Sequence, residues 1–105
     1  STPMAEYRVE ILLAAWQDID RISDFHLRMS GAASARRITD GILDTLERLG
    51  SFPYMGAQHP DPELMRREYR KVLCGDYVCV YRVSGASVYV YRVVNGRTDY
   101  PRLLK

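Results

Sequence analysis

The chain has 105 residues, is 47% apolar and carries a formal net charge of +2. That length suits one domain with one core. No apolar run approaches the roughly 18 residues of a membrane-spanning helix, and no signal peptide is visible, so no membrane partner and a cytoplasmic location are expected.

Ser1, Thr2 and Pro3 precede Met4 and are read as a cloning remnant, which leaves residues 4–105 as the domain. Tyr7–Leu12 alternates well enough for a first strand, with Val9 and Ile11 on one face. Helical periodicity takes over near Leu13. Ala15, Ile19, Ile22, His26 and Met29 share one face of a helix, with Asp18, Asp20 and Asp24 off it. His26 on this stripe is read as a core-edge residue rather than a base or ligand. Ser30-Gly31 breaks the helix. A second helix runs from Ala32 to Leu49, with Ala35, Ile38, Ile42, Thr45, Leu46 and Leu49 on its apolar face and Gly50 just past its end. The short break predicts an antiparallel helical hairpin.

Ser51–Leu64 reads as irregular, because its prolines and Gly56 exclude a regular element. Phe52, Tyr54 and Met55 are expected to lid the core, and His59 to be an exposed loop residue. Three strands follow: Arg67–Leu73, Tyr77–Val83 and Val88–Val94, joined by turns at Gly75 and Gly85. Alternation sets Tyr69, Lys71 and Leu73 against Arg70 and Val72. It sets Tyr77, Cys79, Tyr81 and Val83 against Val78, Val80 and Arg82. It sets Val88, Val90, Arg92 and Val94 against Tyr89, Tyr91 and Val93. The expected fold is α+β: an N-terminal strand, a two-helix hairpin, then a three-stranded antiparallel meander. The first strand should lie at an edge of the sheet, beside the last or middle strand. Ile19, Ile22, Ile38, Ile42, Leu46, Val80 and Val90 should be core.

The charge is unevenly spread. Residues 1–63 hold six arginines and ten acids, whereas residues 64–105 hold nine basic residues and three acids, a net +6. A basic sheet with interleaved tyrosines suits nucleic acid or an acidic protein; alternatively, strand arginines keep edges soluble. Cys74 and Cys79 lie near or on one strand and are read as reduced, structural thiols. There is no phosphate-binding glycine loop, no nucleophile elbow and no metal-ligand spacing, so no cofactor or metal is expected. Catalysis would have to run on Arg, Lys and Tyr from the sheet.

The order of elements, with Glu68-Tyr69-Arg70-Lys71-Val72, Tyr77-Val78-Cys79-Val80-Tyr81-Arg82-Val83 and Tyr91-Arg92-Val93-Val94-Asn95-Gly96-Arg97-Thr98-Asp99-Tyr100, resembles the RelE/ParE superfamily of bacterial toxins. These are the toxin halves of type II toxin–antitoxin modules, and the resemblance spans Met4 to Leu104. It implies growth arrest and a cognate antitoxin as partner. RelE-like members cut mRNA on the ribosome with a basic cluster on the sheet. Arg70 matches the first lysine of that cluster, Arg97 its late arginine and, loosely, Tyr100 its terminal tyrosine. Val72 and Val78 stand where two further cations belong, and arginine at its normal pKa is a poor base. ParE-like members are not nucleases, and those studied poison DNA gyrase. Their pattern matches Tyr69-Arg70, Tyr81-Arg82 and Arg92-Val93-Val94-Asn95, with Asn95 replacing a frequent histidine. The resemblance therefore favours a ParE-like, non-enzymatic toxin acting on gyrase. Its target- or nucleic-acid-binding residues are expected to be Arg70, Lys71, Arg82, Arg92, Arg97 and Tyr100. The alternative is a ribosome-dependent mRNA endoribonuclease using Arg70, Arg97 and Tyr100.

Overall fold

The computed structural model describes residues 6–105, so the readings of residues 1–4 lie outside the described residues. The elements run β1 (Arg8–Ile11), α1 (Leu13–Ser30), α2 (Ala32–Arg48), β2 (Ala57–Gln58), α3 (Pro62–Arg66), β3 (Arg70–Cys74), β4 (Tyr77–Ser84) and β5 (Ser87–Asn95), then a short 3-10 helix over Tyr100–Leu104. This is the expected α+β order.

One residue separates the long helices. Gly31 has φ +90°, a region that favours glycine. Its N–H donates to the Leu27 carbonyl and its own carbonyl accepts from Ala35, so it ends α1 and opens α2. The two helices pack on each other, α1 also on β5 and α2 on β3.

The sheet order is β1-β5-β4-β3-β2. The last three strands form the expected antiparallel meander, and β1 lies at an edge beside the last strand. It pairs parallel to β5, with Val9 opposite Val88, so the sheet is mixed rather than wholly antiparallel. A parallel pair needs a long crossover, which the helices and the intervening strands supply.

Ser51–Leu64 is not wholly irregular. It contributes β2, paired to β3 through Ala57 with Lys71 and Gln58 with Arg70, and the start of α3. The signal was local: Asp61 accepts from the Glu63 and Leu64 N–H groups at 3.0 and 3.1 Å, and Pro62 follows as the first helical residue. The helix ends at Arg66, and Glu68, a non-glycine residue at φ +63°, turns the chain away from it. There the N–H groups of Glu68 and Tyr69 close back on Met65 and Leu64. Hence β3 begins at Arg70, not Arg67. Phe52, Tyr54 and Met55 are exposed and do not lid the core. The loop instead buries Pro53, Gly56 and His59.

Alternation holds through β3 and β4 and breaks in β5. The successive residues Val80 and Tyr81 pair with Arg92 and Val90, which leaves Tyr91 as an extra, bulged residue. Beyond it the side chains change face. Val93 therefore joins Val88 and Val90 in the cluster under the helices, with Cys79, Tyr81, Ala15, Ile19, Ile22, Ile42, Leu46 and Leu49. The other sheet face carries a second cluster of Tyr69, Val78, Val80 and Val94, covered by Leu64 of α3 and Tyr100 of the 3-10 helix. The chain thus covers much of this face itself. Of the expected core, Ile38 is only partly buried; the other six are buried. Met29, assigned to the same helix face as Ile22, is exposed.

Ile42 has no solvent exposure. Replacing it with alanine removes buried methyl groups and leaves a cavity, which should cost about 2–5 kcal/mol. The expected outcome is a lower urea midpoint at unchanged slope.

Candidate functional site

The six sequence-nominated residues fall on different faces and do different work. Arg70 shares the helix-side face with Tyr81, its cross-strand partner. Its guanidinium donates to the Gly56 carbonyl at 2.7 Å and lies 4.9 Å from the Tyr54 ring centroid. The Gly56 N–H donates to the buried Tyr81 hydroxyl at 3.0 Å. A Cβ at Gly56 would stand 2.4 Å from the Lys71 carbonyl oxygen and 2.7 Å from the Tyr81 hydroxyl. Only glycine lets the backbone come this close. Arg70 therefore clamps the loop ahead of α3 against the sheet.

Arg92 is committed to α1. Its Nε and one terminal nitrogen donate to the Asp18 carboxylate at 2.7 and 2.9 Å. The same carboxylate accepts the Val93 N–H at 2.9 Å and a further bond from Arg21. Asp18 is only 4% exposed. The ion pair holds the Arg92 guanidinium above its ordinary pKa. Sequence reading placed Asp18 off the apolar stripe. Yet it lies three residues after Ala15 and four before Ile22, on their face of the helix, so the signal was present.

Tyr100 is buried, and its hydroxyl is 2.8 Å from His59 Nε2. His59 is 2% exposed, not the exposed loop residue expected. Its Nδ1 accepts the Asp61 N–H at 3.1 Å, so the neutral ring carries its proton on Nε2 and donates to Tyr100. Burial, then the Lys71 charge, lowers the His59 pKa; Asp61 opposes them. Lys105 pairs with Asp61 at 3.0 Å, and Arg67 donates to the Leu104 carbonyl at 3.2 Å. Together these contacts latch the 3-10 helix to α3 and the sheet. No local sequence signal joins His59 to Tyr100, since they meet only through the fold. His26 is likewise a structural link, 2.7 Å from the Tyr77 hydroxyl.

Arg97 is exposed in the segment after β5. Its N–H donates to Asn95 Oδ1 at 2.9 Å, and the Asn95 carbonyl accepts from the Thr98 N–H and hydroxyl. Asn95 thus shapes the turn that carries Arg97. Arg82 and Lys71 share the other sheet face. The Arg82 guanidinium lies 5.2 Å from the Tyr69 ring centroid and 6.0 Å from that of Tyr91. Among the described residues neither cation has a hydrogen-bond or ion-pair partner.

Arg70, Arg97 and Tyr100 therefore do not converge: the first is a helix-side clamp, the second projects from a turn, and the third is tied to His59. Val72 packs against the helix-side cluster and Val78 is buried in the second. A concavity of about 800 Å³ between α2 and β3 is lined by Glu6, Asp44, Glu47 and Arg48, a predominantly acidic set that suits no phosphate. Among the described residues no group of His, Cys, Asp or Glu is placed to hold a metal. Among the described residues no helix is long and apolar enough to cross a membrane. Cys79 is buried, which pushes its thiol up to about 12; such a thiol is inert.

This fold, a helix pair on one face of a mixed sheet, is shared with solved proteins of toxin–antitoxin systems. The family model for the ParE toxin of the type II toxin–antitoxin system parDE matches residues 9–100. The chain belongs to that family. Among solved structures, the chromosomal ParDE toxin–antitoxin system of P. aeruginosa matches with a TM-score of 0.74 at 18% identity, over 88% of this chain and 98% of that one. The toxin–antitoxin complex RelBE2 of Mycobacterium tuberculosis matches with a TM-score of 0.65 at 18% identity, over 86% and 98%. No curated protein matches the chain significantly.

Two outcomes test this assignment of roles. Asp18→Ala leaves the Arg92 guanidinium without its carboxylate and should cost about 3 kcal/mol, while joint replacement by Asp18→Leu and Arg92→Met should recover only part of it, because the buried Val93 N–H stays unpaired; chemical denaturation of the single and double variants checks both. For His59, the folded pKa lies below the ordinary 6.5, so the unfolded chain binds the proton first as pH falls. Its contribution is complete above pH 6.5 and is lost as pH falls below that value. Thermal melts should show stability falling with acidification in this window, and a shallower fall in His59→Gln.

Proposed function

We propose that this toxin arrests bacterial growth in the cytoplasm by acting on DNA gyrase, and that a cognate antitoxin neutralises it. Membership of the ParE family supports this reading over mRNA cleavage. The observation that carries it is that, among the described residues, Arg70, Arg97 and Tyr100 do not assemble into one cationic site. Ribonuclease chemistry of the RelE type needs a base, an acid and charge around one phosphate. Here Val72 and Val78 are packed into apolar clusters, and Arg70 and Tyr100 are held by Gly56 and His59. The residues left to face a target are Lys71, Arg82 and Arg97.

An antitoxin partner is supported by the nature of the structural neighbours, both of them toxin–antitoxin systems. Exposed apolar side chains along α1 add to this: Leu13, Trp16, Phe25, Leu27 and Met29. Such side chains suit a partner that orders as it wraps the toxin.

Induced expression without the antitoxin should stop growth. Gyrase supercoiling should fall and cleaved gyrase–DNA complexes should accumulate, with mRNA 5′ ends unchanged. Codon-phased mRNA ends with normal supercoiling would establish ribosome-dependent cleavage instead, and growth without arrest would identify a toxin fold that only binds.

A further inference from the structure

We propose that the cleft between α1 and the end of β5 docks an acidic, apolar segment of the antitoxin, which sets a carboxylate on Arg21 and a large apolar side chain against Phe25. This rests on the reading that an antitoxin neutralises the toxin, and adds where that partner is held and by what chemistry. Three observations carry it. First, the sheet is unfinished at this place. β1 pairs with β5 only as far as Val90, so among the described residues Arg92 to Asn95 have β4 on one side and no strand on the other. Helix α1 runs beside this open edge and leaves a cleft of about 370 Å³, lined by Ile22, Phe25 and Val93 together with Arg21 and Arg92. That is room for a few side chains of a partner.

Second, the charges in the cleft do not balance. Among the described residues Arg21 and Arg92 share the single carboxylate of Asp18. Its two oxygens already accept from Arg92 twice, from the Val93 N–H and from Arg21. The carboxylate is saturated and one positive charge is left over. That charge belongs to Arg21, whose side chain is 63% exposed, whereas Arg92 is at 20%. A guanidinium has five N–H donors, and Arg21 spends one on Asp18. A second carboxylate completes the set. Asn95 and Thr98, in the turn that carries Arg97, also line the cleft and bring a further cation nearby.

Third, apolar side chains stand beside that cation. Phe25 is 50% exposed, and Met29, four residues on and so on the same side of the helix, is 69% exposed. Adjacent exposed apolar groups next to an unneutralised arginine mark a protein contact. A phosphate satisfies the arginine and leaves both apolar groups in water. A segment with Asp or Glu next to a large apolar residue satisfies all three.

The test is titration calorimetry of the full chain with the protein encoded by its neighbouring gene, and with overlapping short peptides of that protein. The expected result is one binding peptide that carries an acid beside a large apolar residue and loses affinity when the acid is changed to its amide. Binding should weaken about tenfold in Arg21→Gln and severalfold in Phe25→Ala. It should be unchanged in Arg36→Gln, an exposed position of α2 outside the cleft. Arg21→Glu should weaken it further, and lysine in place of the peptide's acid should restore it, which a general effect on folding does not do. The amide peptide tests the same contact on the unaltered chain if a variant fails to fold. Whole-protein binding indifferent to both Arg21 and Phe25 would overturn the site and leave the antitoxin reading standing; no binding by the unaltered chain would overturn both. Equal affinity for poly-glutamate, or self-association of the chain that Phe25→Ala abolishes, would also overturn it, the first by reducing the contact to charge and the second by giving the cleft to a second copy.

Discussion

A single buried carboxylate holds the architecture together. Asp18 projects from α1 into the gap left where β1 stops pairing with β5, after the Leu12 N–H has bonded to the Val90 carbonyl. It accepts two bonds from Arg92 and one from the Val93 N–H. A β-strand edge abandoned by its neighbour leaves unpaired N–H groups. Asp18 satisfies one of them and at the same time fastens the helix to the strand. Burying a carboxylate is costly without such donors, so the full set must be present for any of it to be favourable. The bulge at Tyr91 belongs to the same arrangement. It turns Val93 under the helices and swings Arg92 towards Asp18.

A second constraint acts at the far side of the sheet. Tyr81 is fully buried, yet its hydroxyl needs a partner. The Gly56 N–H supplies one, and Arg70 closes the node on the Gly56 carbonyl. The loop before α3 is thereby pinned, and with it the position of Asp61, His59 and the latch on Tyr100. Burial raises the ordinary pKa of both Tyr81 and Tyr100. Neither phenol is prepared to give up a proton in the neutral range. Both act as hydrogen-bonding pins.

The basic character of the sheet half thus divides into two populations. Arg70 and Arg92 are fixed by Gly56 and Asp18, and their charge is spent on holding the chain. Among the described residues Arg82 and Lys71 have no such partners on the opposite face, and Arg97 is carried on a turn shaped by Asn95. Composition cannot separate these groups, because each is an arginine or lysine in an otherwise apolar, tyrosine-rich strand. What separates them is whether a carboxylate or carbonyl from a distant segment comes within reach.

The order of elements was legible in the sequence, because it rests on local periodicity. Spacings of three and four mark α1 and α2, alternation marks β3 and β4, and Gly31, Gly75 and Gly85 mark the breaks. The family was legible for the same reason, since its pattern is the order of these segments and their Tyr-Arg pairs. Two further signals were present locally: Asp18 on the apolar stripe, and Asp61-Pro62 opening α3. Other features had no local signature. The bulge at Tyr91 is one of them; the parallel pairing of β1 with β5, the contact of Gly56 with Tyr81 and the meeting of His59 with Tyr100 join residues 25 to 79 positions apart in the chain. A one-residue bulge inverts which side chains face inward beyond it, and nothing in an alternating run says where it falls. Local chemistry therefore determined which elements form. Only tertiary packing decided which charges are engaged and which remain free, because that depends on what the fold brings within hydrogen-bond distance.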